Sequence, residues 1–349
     1  MTSPLKVGIV GYGVVGKRRK YYIDQNPNFK VTCVSDITFE KDGLLDSGIR
    51  CYNDYRGLLS EQIDVLFVSL PNYLAAKVTI SGLERNCHVF CEKPPGHNIK
   101  EVREVVKLSE KNPHLKLKYG FNHRYHDSVR KAREIIDSKK LGNVVSFRAV
   151  YGKSSIVPSD SGWRAQKEYA GGGILLDQGI HMLDLIKYFS SNYQEFYSFV
   201  NNNYWGHNVE DDAFILMKNK DGQIASLHST ATQWQHRFRL EIILKEGLLE
   251  LAGILSGSKS YGSETLSVIE RDRKNFDGAQ EQKVYSFLQD NSWRDEINEF
   301  SECISKDKPV VNGTCYDALE IMEMIFNIYK SDKKWWESFQ NNKDKKGKN

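Results

Sequence analysis

The sequence predicts two domains, an α/β one at the amino terminus and an α+β one built on a large, mainly antiparallel open sheet, and three observations carry that prediction. At 349 residues the chain is longer than a single hydrophobic core usually serves. Through residue 122, short apolar runs alternate with helix-compatible stretches, the grammar of a parallel sheet. From residue 123 the runs turn to period-two alternation: Phe147, Ala149 and Tyr151 interleave with Ser146, Arg148 and Val150, and Phe238, Leu240, Ile242 and Leu244 with Arg237, Arg239, Glu241 and Ile243. The expected boundaries are 1–122, 123–340 and a Lys/Asn-rich tail at 341–349 that stays outside the fold.

Charged residues at 27% and hydrophobic ones at 40% describe an ordinary globular protein. The formal net charge is +4, and the tail, with four lysines and one aspartate, supplies +3 of it, so the folded body is nearly neutral. That balance speaks against nucleic acid or an anionic membrane as the main partner. No run reaches the length of a membrane span, and an apolar strand begins at Leu5 with no charged-then-apolar leader, so a cytoplasmic location is expected. Of six cysteines, Cys87 and Cys91 in CHVFC come nearest to a metal pattern, but the spacing does not fit and no second close pair exists. They read as small buried hydrophobes of a strand, and no metal is expected.

The first strand, Leu5 to Val10, runs into Gly11-Tyr12-Gly13-Val14-Val15-Gly16 and a helix-compatible stretch from Lys17, which is GxGxxG in a strand, turn, helix setting. The first glycine permits the tight turn, the second lets the backbone approach a pyrophosphate, and the third lets helix pack on strand; the helix amino terminus then attracts phosphates. Gly11, Gly13, Val14, Val15 and Gly16 are therefore expected cofactor contacts. The second strand, Phe29 to Ser35, ends at Asp36, 20 residues past Gly16, where this arrangement places its ribose-binding acid. A carboxylate there accepts both ribose hydroxyls and repels a 2′-phosphate, and Ile37 and Thr38 follow it instead of an arginine, so NAD is expected over NADP. The cluster Lys17-Arg18-Arg19-Lys20 offers a cation to a 2′-phosphate but reads better as a solvated helix face. The apolar run Ile63 to Leu70 ends in Pro71-Asn72, and His88 to Cys91 ends in Glu92-Lys93-Pro94-Pro95. Pro71, Asn72, Glu92 and Lys93 thus stand at the sheet edge where ligands bind in such folds.

In the second half, Gly171 to Tyr188 (GGGILLDQGIHMLDLIKY) reads as a buried helix after three glycines. Its polar residues Asp177, His181, Asp184 and Tyr188 fall at i, i+4, i+7 and i+11, one stripe on one face. Burying two carboxylates and an imidazole is costly unless they are paired or face a wet cavity, so a polar cleft is expected beside the stripe; a satisfied structural network is the competing reading. Further strands are expected at Phe196 to Asn201, Ala213 to Lys218, Ile224 to Thr232 and Leu266 to Arg271, with closing helices at Trp293 to Ile304 and Tyr316 to Lys330. An open sheet with exposed aromatics commonly becomes a subunit interface, which leads to the expectation of a homodimer or homotetramer through that sheet.

GYGVVG, Asp36, Glu92-Lys93-Pro94, GFNHRY and GGGILLDQGIHMLD stand in this order between about Leu5 and Lys330. In these motifs the chain resembles the glucose-fructose oxidoreductase and inositol dehydrogenase (Gfo/Idh/MocA) family. The resemblance implies a Rossmann domain binding a nicotinamide cofactor, a substrate and oligomerisation domain, and hydride transfer to or from a carbon of a sugar, cyclitol or nucleotide-linked sugar. It also implies that Lys93, Asp177 and His181 line the active site. Histidine suits the proton transfer, as base in oxidation and acid in reduction. Asp177 would orient it or bind a neighbouring hydroxyl, and Lys93 would stabilise charge on the reacting oxygen; the reverse assignment, with Lys93 carrying the proton, stays open. Asn122, Arg124, Tyr151, Trp163 and Arg164 are the expected substrate contacts, and Tyr151 to Tyr169 is expected to form a substrate loop. One departure stands out: Pro71-Asn72-Tyr73-Leu74-Ala75 lacks the histidine that family members often carry there. Two alternatives are an NAD-dependent glycosidase of the same fold and a non-catalytic dinucleotide-binding protein, against which the intact Lys93, Asp177 and His181 set counts.

Overall fold

A computed structural model describes residues 3–155, 162–257, 259–272, 274 and 280–341. The chain divides into two compact units, Met1–Asn122 with Ser292–Leu319, and His123–Asn291 with Glu320–Asn349.

The first unit opens with β1 (Leu5–Val10), α1 (Val14–Ile23), β2 (Phe29–Ser35), β3 (Gly43–Leu44), β4 (Arg50–Tyr52) and α2 (Tyr55–Leu59). It continues with β5 (Val65–Val68), α3 (Asn72–Glu84), β6 (His88–Glu92), α4 (Ile99–Lys111) and β7 (Leu117–Gly120). Seven strands form one sheet in the order β3-β4-β2-β1-β5-β6-β7, parallel except at the β3/β4 edge. Because β2 lies on one side of β1 and β5 on the other, the chain reverses its travel across the sheet at β1, the place where ligands bind in doubly wound folds. The strands read as apolar runs because both faces are covered: Val65, Leu66, Phe67 and Val68 are all buried. On α4, Asn98 caps the helix by accepting from the Glu101 N–H at 3.0 Å, and Val102, Val105 and Val106 form its buried stripe.

The second unit holds α5 (Asp127–Asp137), β8 (Val144–Gly152), α6 (Lys167–Ala170), α7 (Ile180–Phe189), β9 (Tyr193–Asn201), β10 (Asp212–Asn219) and β11 (Ile224–Thr230). Then come β12 (Arg237–Leu244), β13 (Gly247–Ala252), β14 (Glu264–Glu270) and β15 (Gln282–Phe287). Eight strands form an open sheet ordered β15-β14-β13-β12-β8-β11-β10-β9, antiparallel except for the parallel β8/β11 pair. Alternation is strict on β10 and β12: Ala213, Ile215 and Met217, like Phe238, Leu240 and Ile242, point inward and are buried. The outward side of β9 and β10 leaves Tyr197, Phe199, Phe214 and Leu216 exposed.

The chain ends with α8 (Ser292–Ser305), α9 (Cys315–Ser331) and α10 (Lys333–Asn341). Here the structure differs from the expected boundary: Ser292–Leu319, expected in the second domain, groups with the first unit. The cause is packing: Ile297 and Phe300 of α8 complete the first unit's core, with the Phe300 ring edge-on to Phe67 and Phe90 at 6.1 and 5.6 Å. Residues 342–349 of the expected tail and 156–161 of the expected substrate loop lie outside the described residues. Among the described residues, no helix is long and apolar enough to cross a membrane.

Candidate active site

In the first unit the expected cofactor residues share one edge. Gly11, Asp36 and Lys93 each directly follow the carboxyl end of a parallel strand, β1, β2 and β6, and Pro71 and Asn72 stand where β5 leads into α3. Gly11 takes φ +86°, and a Cβ there would stand 2.2 Å from the Ser69 carbonyl oxygen; a Cβ on Gly16 would stand 2.0 Å from the Gly11 oxygen. Gly13 differs from both, since nothing lies within 4 Å of where its Cβ would be. Among the described residues no side chain caps the first turn of α1, and Val14 in that turn is 78% exposed. An open cradle beside free helix N–H groups fits a dinucleotide pyrophosphate. Asp36 is held by its neighbour: Oδ1 accepts from the Thr38 N–H at 3.0 Å and from the Thr38 hydroxyl at 2.8 Å.

Glu92, expected to touch the cofactor, is bonded inside the protein. Its Oε1 accepts from Arg19 Nε at 2.6 Å, and Arg19 Nη2 lies 2.8 Å from Glu296 Oε2. The Arg19 guanidinium packs between the Phe90 and Trp293 rings at 4.3 and 4.2 Å. Arg19 is therefore no part of a solvated helix face; it is fully buried because it neutralises two carboxylates and stacks on two rings. Burial, aided by the nearby Glu92 charge, pushes the Glu296 carboxyl up to about 7 although Arg19 and Lys118 oppose it. This network anchors the end of β6 from which half-buried Lys93 emerges.

In the second unit the helix expected from Gly171 is built on Glu210. Its carboxylate accepts from the Gly173 and Leu175 N–H groups at 2.7 and 3.0 Å and from the Tyr329 hydroxyl at 2.6 Å, while its carbonyl accepts from the Ile174 N–H at 3.0 Å. The chain approaches so closely that a Cβ on Gly173 would stand 1.9 Å from the Glu210 carbonyl oxygen, which explains the glycine run. Burial outweighs the donors and pushes Glu210 up to about 7. The expected single α-helix is instead a π turn at Leu175–Gly179 leading into α7, a feature often met at functional sites.

The polar stripe divides into two parts. Asp184 is completely buried in a two-pronged pair with Arg124, and the Arg124 and Arg133 guanidinium groups each stand 5.2 Å from the Tyr188 ring, so this end is a structural network. Asp177 lies nearer solvent, with Lys153 Nζ at 3.1 Å, Gln178 Nε2 at 3.1 Å and Arg164 Nε at 3.6 Å. His181 stacks face to face on His123, with ring centroids 3.7 Å apart and planes 11° from parallel. His123 Nε2 in turn shares a hydrogen bond of 3.0 Å with the Tyr151 hydroxyl. Burial first, then Tyr261 and Asp177, holds the Tyr151 phenol well above its ordinary range. His236, bonded to Ser154 and Ser260, is lowered by burial and by Lys153.

Asn122, Arg124 and Tyr151, expected on the substrate, are all buried and have protein partners, Asn122 donating to the Ser292 hydroxyl at 3.1 Å. They are expected there as polar and aromatic residues near the domain junction, but Asn122 and Arg124 on a short 3-10 turn and Tyr151 on β8 are turned into the interior. Trp163 and Arg164 sit on a short 3-10 turn, with the guanidinium 4.3 Å from the Trp163 ring. Sequence reasoning passed over Lys153, His123 and Glu210. Lys153 carried a readable signal, a cation directly after a strand, the same signal that singled out Lys93; the other two depend on long-range partners.

Two family models match the chain. Residues 5–121 match the oxidoreductase family with an NAD-binding Rossmann fold, and residues 129–250 match the GFO/IDH/MocA C-terminal domain. D-glucoside 3-dehydrogenase of Escherichia coli is 33% identical over 195 residues, 54% of this chain and 54% of that protein. Inositol 2-dehydrogenase of Salmonella typhimurium is 27% identical over 188 residues, 52% of this chain and 53% of that protein. The chain thus spans about half the length of these curated relatives. Among solved structures, levoglucosan dehydrogenase in complex with NADH superposes with a TM-score of 0.82 at 20% identity, covering 95% of this chain and 98% of that one.

Proposed function

Since the chain belongs to the GFO/IDH/MocA family of oxidoreductases, we propose that it transfers a hydride between NAD and a secondary alcohol or ketone carbon of a sugar, cyclitol or nucleotide-linked sugar. The observation that carries this reading is the helix pinned by Glu210, which holds Asp177 among cations and His181 against a second imidazole. The similar dehydrogenases are named for a glucoside, an inositol and levoglucosan, which favours a carbohydrate or polyol substrate.

Gly11, Gly13, Val14, Val15 and Gly16 would hold the pyrophosphate, Asp36 the ribose, and Pro71 and Asn72 the neighbouring edge. Bound NAD supplies the hydride acceptor or donor. His181 takes the hydroxyl proton in oxidation and returns it in reduction. The Lys93 ammonium stabilises charge on the reacting oxygen. Asp177, steadied by Lys153 and Gln178, binds a neighbouring substrate hydroxyl, with Trp163 and Arg164 flanking it. Arg124 and Tyr151 support this site from within, through Asp184 and His123. The reading extends to assembly, in which copies associate through the exposed aromatic face of the open sheet.

The test is absorbance of NADH with purified protein and NAD across sugars, inositols and sugar nucleotides, and with NADH across the matching keto compounds. His181→Ala should retain NAD binding and lose most turnover. Proven NAD binding with no turnover in either direction would remove the dehydrogenase reading.

A further inference from the structure

We infer that the exposed rings of Tyr204 and Trp234 form a second carbohydrate subsite, on which a sugar ring joined by a glycosidic bond to the reacting one stacks. The preferred substrate is then a glycoside of at least two rings. This rests on the reading of Asp177 and His181 as the place of the reacting sugar, and narrows the substrate class within it.

Both rings stand on loops at one end of the open sheet, Tyr204 between β9 and β10 and Trp234 between β11 and β12, and they are 60% and 61% exposed. Their centroids lie 5.0 Å apart at 62°. The half-buried Trp205 ring meets Tyr204 at 5.0 Å and Trp234 at 6.4 Å, so three rings make one cluster. The loops are fixed from beneath by Asp211, which is buried: its carboxylate accepts from the Tyr204 and Trp205 N–H groups at 2.9 and 2.8 Å, and its carbonyl accepts from the Ala231 N–H at 2.7 Å. The Trp205 indole N–H donates to the Ala231 carbonyl at 2.9 Å, and Trp205 packs on Ile174, Val209 and Ala231. Exposed aromatic faces held this way lose little freedom when a ligand covers them.

The same ties run on to the polar stripe. Gln233, next to Trp234, donates its N–H to the Lys153 carbonyl at 3.0 Å, and the Lys153 ammonium stands 3.1 Å from Asp177. One lysine side chain, about as long as a pyranose ring, thus links the loop of Trp234 to Asp177. The chemistry of the cluster matches a sugar. The ring faces of Trp234 and Tyr204 fit the C–H face of a pyranose, while the exposed amides of Asn203 and Gln235 beside them supply donors and acceptors for its hydroxyls.

The test is a ligand-observed NMR titration of the full chain with NADH bound. The probes are the methyl glycosides of glucose, galactose and mannose and the disaccharides maltose, cellobiose, lactose and mannobiose. At least one disaccharide should bind about tenfold more tightly than the matching methyl glycoside. In Trp234→Ala the ratio of the two Kd values should fall to near one, and in Trp234→Phe, which keeps a ring, most of the gain should remain. Where NAD is reduced, the ratio of kcat/KM values should follow the same pattern. No gain from a second ring on any probe, or a gain unmoved in a folded Trp234→Ala, would overturn the subsite, while turnover of the methyl glycosides would keep the dehydrogenase reading. A gain lost in Trp234→Ala, with no turnover of any probe in the wild type, would keep the subsite and count against that reading instead. An oligomer that falls to monomer in Trp234→Ala, with the ratio unmoved, would assign the rings to a contact between copies and overturn the inference.

Discussion

Arg124 and Asp184 face each other fork to fork inside the second unit, Nε to Oδ2 at 2.9 Å and Nη2 to Oδ1 at 2.6 Å, with 5% and 0% of their side chains exposed. Arg124 directly follows His123, and Asp184 lies three residues after His181. The pair thus ties together the two segments that carry the stacked histidines.

Asp184→Ala should cost about 3–5 kcal/mol, because it leaves a guanidinium buried without its carboxylate. Urea unfolding followed by fluorescence measures it. Arg124→Met combined with Asp184→Leu should lose less than Asp184→Ala alone, since neither charge is then stranded. A single-variant loss below about 1 kcal/mol would show that the pair does not hold these segments.

The Arg19 network makes a pH-dependent prediction. Glu296 has a folded pKa of about 7, above the unfolded value, so its contribution favours folding below the unfolded pKa and is lost as pH rises through about 7. Arg19→Met removes the cation shared by Glu92 and Glu296 and raises the folded pKa further. The variant should therefore be destabilised at every pH, but more at about pH 8 than at about pH 5, where protonation of Glu296 relieves its stranded charge. Urea midpoints of variant and wild type at both pH values check this, and an equal offset at both would refute it.

What the sequence made legible was what local rules set. Gly11, Asp36 and Lys93 follow strand ends, and strand ends define the ligand edge of a parallel sheet, so reading the strands located them. The stripe Asp177, His181, Asp184 and Tyr188 was visible as spacing, yet spacing does not say which members are satisfied. Asp184 finds its partner 60 residues away and Glu210 finds Tyr329 119 residues away, and pairing at such distances leaves no periodic trace. The π turn was hidden for a related reason: it is stabilised by Glu210 and the glycines before it, not by residue propensity. α8 was read as a helix, but only packing of Phe300 with Phe67 and Phe90 assigns it to the first unit.

Asp36→Ala should weaken NAD more than NADP, because a carboxylate that binds ribose hydroxyls contributes only with NAD and repels the 2′-phosphate of NADP. Loss of charged hydrogen bonds of this kind costs about 1.5–3 kcal/mol, roughly tenfold to more than a hundredfold in Kd for NAD. Calorimetric titration of both cofactors into wild type and variant measures it. Tighter binding of NADP than NAD by the wild type would contradict the role given to Asp36.

Self-association through the open sheet makes the last prediction. Phe199 and Leu216 stand on the outer face of β9 and β10, 79% and 54% exposed, beside Tyr197 and Phe214. The Phe214 ring stacks on His228 at 3.8 Å, and His228 is held by Asp212 at 2.7 Å, so the patch has an ordered surface. Apolar groups at such density remain stable in water when a second surface covers them. Carboxylates placed in the middle of that interface would have to be desolvated without a partner. Phe199→Glu with Leu216→Glu should therefore convert an oligomer to a monomer in size-exclusion chromatography with light scattering, while the far-ultraviolet spectrum stays that of the wild type. A wild type already monomeric at the concentrations used, or an oligomer unaffected by both carboxylates, would place the association elsewhere or dismiss it.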